Sequence, residues 1–352
     1  MQTIIDMIQE AIDREASDIF IIAGLPLTIK AGGGIQNLSE EKMMDAACRE
    51  MIEKIYEYAG RDIKLVTETG DDDFSFAIRG LSRFRVNAYK QRGSLAAVIR
   101  VISFQLPDPQ KLGIPPKVLE LVKFNQGLVL VTGPAGCGKS TSLACMINRI
   151  NEERHNHIIT LEDPLEYLHR HNKSIVSQRE INLDAESFVV ALRSALRQSP
   201  DVILLGELRD YETIEIAMTA AETGHLILSS LHTVGASTTI DRIVDAFPSN
   251  QQRQITLQLS MVLQAIVSQR LVPTKDGKVV AAFEIMTVTP AIRNMIREGK
   301  VHQIDNIIGA ASEESGMISM DKSLLDLYKK GVIEKQVALD YATNPELLAR
   351  KL

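Results

Sequence analysis

The stretch Gly127–Ile150, GLVLVTGPAGCGKSTSLACMINRI, restricts what this chain can fold into more than any other. Leu128 to Thr132 is a short apolar run of the kind expected from a strand buried on both faces, and helix-forming residues begin directly after the glycines that end it. The spacing of Gly133, Gly138, Lys139 and Ser140 satisfies the phosphate-loop pattern GxxxxGK followed by Ser or Thr, in its required setting of strand, loop and helix. Glycines let consecutive backbone N–H groups converge on phosphate oxygens, and the helix that follows directs its positive end to the same point. Lys139 is placed to reach the terminal phosphates of ATP, and the Ser140 hydroxyl to bind Mg2+. The segment Gly133, Pro134, Ala135, Gly136, Cys137, Gly138, Lys139, Ser140 and Thr141 is therefore the candidate nucleotide-binding loop. An ordinary glycine turn would match the pattern in roughly one chain in a hundred of this length, before the flanking strand and helix are required.

The 352 residues leave room for two domains, each with its own core. No apolar run approaches the ~20 residues of a membrane span, and the N-terminus lacks a signal-peptide profile, so a soluble cytoplasmic protein is expected. A formal charge of -6 argues against a dominant nucleic-acid surface. Cys48, Cys137 and Cys145 have no metal-ligand spacing and suggest neither zinc nor disulfides. Cys137 reads as a small residue in a permissive loop position, although a helix start can also lower a thiol pKa.

In the first hundred residues, Ile4, Ile5, Ile8 and Ile12 have helical spacing, and Asp18 to Ile22 reads as a strand. A second helix is expected after Ser39 as N-cap, carrying Met43, Ala47, Met51, Ile55 and Tyr58 on one face. Three strand-like runs follow, Phe74 to Ile78, Arg83 to Tyr89 and Leu95 to Ile102, joined by Arg79-Gly80 and Gln91-Arg92-Gly93. They predict a small antiparallel sheet with helices against it. Arg83 and Arg85 alternate with Phe84 and Val86, so they lie opposite the core; with Arg92 and Arg100 they form either a solvated strand face or a set of cations for a phosphate. Leu106 to Pro116 holds four prolines and is the expected interdomain linker.

Beyond the loop helix, His157 to Leu161 reads as a buried strand running into Glu162-Asp163-Pro164-Leu165-Glu166, which leaves three carboxylates where parallel sheets hold ligands. One of them can hold the water that attacks a terminal phosphate. A helix from Glu186 to Arg197 precedes the strand Val202 to Leu205, which ends in Gly206-Glu207, an acid suited to supporting magnesium. Another helix, from about Asp210 to Gly224, precedes the strand His225 to Leu231 and His232-Thr233; the two histidines bracket that strand and can report a γ-phosphate. The alternation of strands and helices predicts an α/β domain with a parallel sheet covered on both faces. Past Pro248 the chain reads as mainly helical, with a hairpin near Lys275-Asp276-Gly277. Thr289, Pro290 and Gly299 mark a helix over AIRNMIRE, with Ile292, Met295 and Ile296 toward a core and Arg293, Asn294, Arg297 and Glu298 left for solvent or partners.

The motifs taken in order resemble those of the type IV pilus and type II secretion ATPases, most closely the retraction branch. The matching pieces are GPAGCGKST at Gly133–Thr141, TLEDPLE at Thr160–Glu166, ILLGELRD at Ile203–Asp210 and AETGHLILSSLHT at Ala221–Thr233, with SRFRVNAY in the first domain and AIRNMIRE near the end. The resemblance covers nearly the whole chain. It implies a PAS-like α+β N-terminal domain over residues 1–105, a linker over 106–116, and a RecA-like ATPase domain with C-terminal helices over 117–352. It also implies a homohexamer that hydrolyses ATP with Mg2+ to power pilus retraction, works on an inner-membrane platform protein, touches the membrane only peripherally and binds no nucleic acid. By motif position, Lys139 and Ser140 take phosphates and magnesium, Glu166 is the general base, and Glu207 supports the metal directly or through water. His225 and His232 stand near the nucleotide, and one of Arg83, Arg85 and Arg100 reaches an ATP site. Assembly ATPases of the same superfamily carry extra N-terminal domains and a tetracysteine motif, neither of which is present here, which favours retraction. The competing readings are an assembly or secretion ATPase, a RecA-like nucleic-acid motor, and a nucleotide-gated scaffold without turnover.

Overall fold

Apolar residues at every second position of successive segments build the sheet of the first unit. A computed structural model of the chain describes residues 4–32, 34–78, 80–102, 106–312 and 315–352. It divides into two units, Met1–Gln105 and Leu106–Leu352.

In the first unit, α1 (Ile4–Asp13) buries Ile4, Met7, Ile8 and Ala11, one stripe of a 3.6-residue repeat. The strands β1 (Asp18–Ile21), β2 (Pro26–Ala31) and β3 (Gly34–Lys42) lead to α2 (Asp45–Ala59) and the short α3 (Lys64–Thr69). The strands β4 (Asp71–Ile78), β5 (Ser82–Gln91) and β6 (Ser94–Ile102) complete an antiparallel sheet of order β3-β2-β1-β6-β5-β4. Phe84, Val86 and Ala88 are fully buried on β5, and Arg83, Arg85 and Asn87, which alternate with them, face the other way, as the alternation predicts. Arg92 and Gly93 form a two-residue turn with φ of 51° and 86°, the left-handed pair that matches the twist of a hairpin. Arg79, expected in the preceding turn, lies outside the described residues.

The sheet has six strands, because β2 and β3 join the predicted ones. Ser39 is not a helix cap: it lies within β3, its hydroxyl accepts from Leu27 N at 3.0 Å, and α2 begins six residues later after Met44, with no side-chain cap.

The second unit starts with the irregular, proline-rich stretch before α4 (Pro116–Glu120). Then come β7 (Gly127–Thr132), α5 (Lys139–Glu153), β8 (His157–Glu162), β9 (Ile175–Glu180), α6 (Phe188–Ala195), β10 (Val202–Leu205), α7 (Tyr211–Glu222), β11 (Leu226–Leu231), α8 (Ala236–Asp245) and α9 (Ser249–Val262). The hairpin of β12 (Leu263–Pro273) and β13 (Val279–Thr287) turns at Gly277 and extends the sheet. Its order is β13-β12-β7-β11-β10-β8-β9, parallel throughout except for β13.

Every residue of β7 is buried, with Leu128 and Leu130 in one core and Val129 and Val131 in another. That split is the packing of a parallel sheet covered on both faces. The strand β9 was not anticipated. Beyond the hairpin lie α10 (Pro290–Arg297), α11 (Ile304–Ala310), α12 (Met320–Lys329), α13 (Lys335–Tyr341) and α14 (Pro345–Ala349). The Thr289 hydroxyl caps α10 through Ile292 N, as its sequence predicts. Arg293, expected to be free for partners, is half-buried and donates to Ser260 O and Met261 O at 2.5 and 2.6 Å, filling orphan carbonyls at the end of α9.

Candidate nucleotide-binding cleft

The strand β7 delivers the loop, and its neighbour β12 holds the loop in shape. Gly133 sits at φ 142°, and a Cβ there would come 2.1 Å from Gln269 O, so only glycine fits. Gln269, 3% exposed, donates from Nε2 to Cys137 O at 2.6 Å and accepts from Ser142 Oγ at 2.7 Å. One side chain therefore ties the middle of the loop to the first turn of α5. Gln269 was missed in the sequence; the signal for it was the polar run Ser268-Gln269-Arg270, which interrupts the apolar residues of β12. Burial pushes the Cys137 thiol upward, against the charge of Lys139, so the residue is a neutral filler and not a reactive thiolate.

Lys139, 8% exposed, donates from Nζ to Gly133 O and Pro134 O, both at 2.9 Å, and lies 3.3 Å from His232 Nδ1. Burial holds its ammonium below the usual lysine range, so an anion entering the cleft meets a poorly solvated cation. His232 is shifted down by burial and by the charges of Lys139 and Arg209, which keeps the imidazole neutral. An ammonium only donates, so Nδ1 accepts from Lys139 and the ring proton belongs on Nε2, which lies 3.2 Å from Glu207 Oε2. Glu207 is also ion-paired with Arg209. The chain Lys139–His232–Glu207–Arg209 thus links the phosphate loop to the ends of β11 and β10.

The acids of the loop after β8 close the other side. Glu162, the last residue of β8, is pushed up to about 7 by burial. Glu166 is exposed, and the Tyr167 hydroxyl meets Thr141 Oγ1 at 2.9 Å. Loop, acids and His232 together line a cavity of about 450 Å3. It contains Lys139, Ser140, Thr141, Glu166, Glu207 and His232, and it can take a polyphosphate with a cation at one end and carboxylates at the other. A hydroxyl and carboxylates are hard oxygen donors, and Mg2+ takes few such protein ligands beside substrate and water, so Ser140 and Glu207 fit that ion.

His225 is not part of this cleft. It precedes β11 at the opposite edge of the sheet, where its carbonyl accepts from Gly127 N at 3.0 Å and its Nδ1 lies 2.9 Å from Ala220 O. The length of β11, at ~3.3 Å per residue, separates it from His232, and its role is to close the end of α7. Arg83, Arg85 and Arg100 belong to the first unit. Arg85 stands directly opposite Arg100, whose Nε donates to Asp18 Oδ1 at 3.0 Å. Two cations facing each other across strands repel, and Asp18 offsets only part of that.

Comparison with known proteins agrees with this geometry. The family model described as type II/IV secretion system protein matches residues 1–330. The type IV pilus retraction ATPase PilT of Pseudomonas aeruginosa is 43% identical over 335 residues, covering 94% of this chain and 95% of that protein. A twitching motility protein of Neisseria gonorrhoeae is 40% identical over 348 residues, covering 99% of this chain and 92% of its own. The crystal structure of the pilus retraction motor PilT with bound ADP superposes with a TM-score of 0.88 at 44% identity, covering 99% of both chains.

Proposed function

Because the chain belongs to the type II/IV secretion system protein family, we propose that it is a motor ATPase that powers retraction of a type IV pilus. The observation that carries this is near-full-length similarity to retraction ATPases combined with an intact set of cleft residues, Lys139, Ser140, Glu166, Glu207 and His232. Residues 1–105 are the PAS-like domain, 106–116 the linker and 117–352 the RecA-like ATPase domain.

Lys139 leaves the carbonyls of Gly133 and Pro134 for the terminal phosphates of ATP, a stronger partner for an ammonium. Ser140 and Glu207 are the residues that would hold Mg2+, which would supply neutralisation of the phosphate charge. Glu166, exposed at the cleft mouth, orients the attacking water and takes its proton. His232 gives up its Lys139 partner as that lysine moves, so the loop leading into α8 registers whether a terminal phosphate is present. The working unit is a homohexamer at the cytoplasmic face of the inner membrane, pulling through a platform protein, with one of Arg83, Arg85 and Arg100 supplying a cation to nucleotide in the ring. No helix among the described residues is long and apolar enough to cross a membrane.

Deletion of the gene tests the direction of work. Cells with surplus pili that fail to retract, restored by the wild type and not by Lys139→Ala, are expected; bald cells would mean that the protein extends pili.

A further inference from the structure

Two buried polar residues outside the cleft face each other in the β12–β13 hairpin, Ser268 on β12 and Glu284 on β13, 1% and 7% exposed. Ser268 Oγ accepts from Gly235 N and Glu284 Oε1 from Ala236 N, both at 2.9 Å. Gly235 is the N-cap of α8 and Ala236 its first residue, and His232 lies just upstream on the same turn. We propose that Glu284, with Ser268 beside it, is a positioning residue for the recognition of ATP: it anchors the start of α8 and thereby holds the His232 ring where a terminal phosphate arrives, an inference that rests on the role given to His232 above.

The strand β11 ends just before His232, and β7 separates it from β12. The chain therefore crosses an intervening strand before the hairpin side chains catch it. Two devices keep that crossing in one shape. Gly235 has φ 91° and ψ 149°, a conformation costly for any residue with a Cβ. The fully buried Thr239 hydroxyl donates to Gly235 O at 2.7 Å, so its oxygen accepts from the Thr233 hydroxyl, also at 2.7 Å. The turn is thus tied to the cleft at His232, through Lys139 and Glu207, and to the sheet at Gly235 and Ala236. Glu284 is a costly anchor. Its neighbours on β13, Phe283 and Ile285, are apolar and buried, and burial pushes its carboxyl upward. What the carboxyl gains in return is the amide of Ala236 and the positive end of α8. Without that anchor the turn is free to swing, and the His232 ring leaves the cleft with it.

The test is calorimetric titration of the full chain with ATP and with ADP, each with Mg2+, because only ATP carries the phosphate that His232 is to meet. His232→Ala should lower the ratio of ATP to ADP affinity by roughly fivefold, the scale of one hydrogen bond. Glu284→Met, which keeps the length and removes the carboxylate, should lower the ratio by a similar factor, and Glu284→Gln, which keeps an oxygen for Ala236 N, should restore it. The double variant of His232→Ala with Glu284→Met should fall no further than either alone, since one residue acts through the other. An unchanged ratio in Glu284→Met, whether from no loss or from an equal loss of both nucleotides, overturns the anchor and leaves the role of His232 standing; so do additive losses in the double variant. An unchanged ratio in His232→Ala overturns both, and a wild type that binds neither nucleotide removes the ATPase reading as well. Should Glu284→Met not fold, Ser268→Ala, which frees Gly235 N alone, is judged by the same criteria, with a fall of roughly twofold or more expected.

Discussion

Removing the amide of Gln269 takes away the brace of the phosphate loop without touching any group expected to meet the phosphates. Gln269→Ala breaks two short buried hydrogen bonds, to Cys137 O at 2.6 Å and from Ser142 Oγ at 2.7 Å. Each such bond contributes about 1 kcal/mol net, and stranding the fully buried Ser142 hydroxyl adds about 1 kcal/mol more. The sum is about 3 kcal/mol, which in a domain of this size lowers Tm by roughly 6–12 °C. ATP affinity should fall by roughly tenfold as well, because a loop no longer held in its binding shape must be ordered by the ligand. Differential scanning calorimetry and titration calorimetry read the two effects separately. Two controls sharpen the test. Gln269→Glu keeps the size and the acceptor for Ser142 but sets an oxygen against Cys137 O, so it should be about as damaging; Ser142→Ala loses one bond and should cost about 1 kcal/mol. A Gln269→Ala protein within about 2 °C of wild type, with unchanged ATP affinity, would refute the brace.

Other expectations follow from the same geometry. Glu166→Gln should bind ATP normally and turn it over at least about a hundredfold more slowly in a phosphate-release assay, since the amide takes no proton. Arg293→Ala should cost about 1–2 kcal/mol by unfolding, because its guanidinium fills the carbonyls of Ser260 and Met261; Arg297→Ala, on the exposed face, should leave Tm and turnover intact while impairing twitching. Glu162 is raised in the folded chain to about 7 from 4.5, so folding binds its proton and stability declines as pH rises between those values. Glu162→Gln should therefore gain on wild type across that window, by up to about 3 kcal/mol above pH 7, in urea titrations at several pH values. Equal slopes for the two proteins would contradict the burial assigned to this carboxyl.

The parts that were legible in the sequence were those in which burial leaves a pattern. The strand β7 is apolar along its length because both faces are covered, and α10 carries its cap, first-turn proline and terminating glycine in plain view. The strand β3 is hidden for the opposite reason. It is a sheet edge with seven of its nine residues exposed, so no alternation survives, and Ser39 within it passes for a helix cap. The strand β9, Ile175–Glu180, is likewise an edge with few buried positions. In the cleft, the residues that meet phosphate follow one another along the chain, and a motif collects them. Gln269 stands more than a hundred residues from the loop it supports, and only the β7–β12 pairing brings them together. Proximity in sequence misled at His225: bracketing one strand with His232 puts the two residues at opposite edges of a sheet.

The claim on which all of this depends is that a triphosphate is held and cut at the carboxyl edge of the parallel sheet. Phosphate release from ATP by purified protein with Mg2+, measured beside Lys139→Ala, addresses it directly. Steady turnover by the wild type and none by the variant is the result this structure requires. Equal release by both proteins, or none by either, would contradict it.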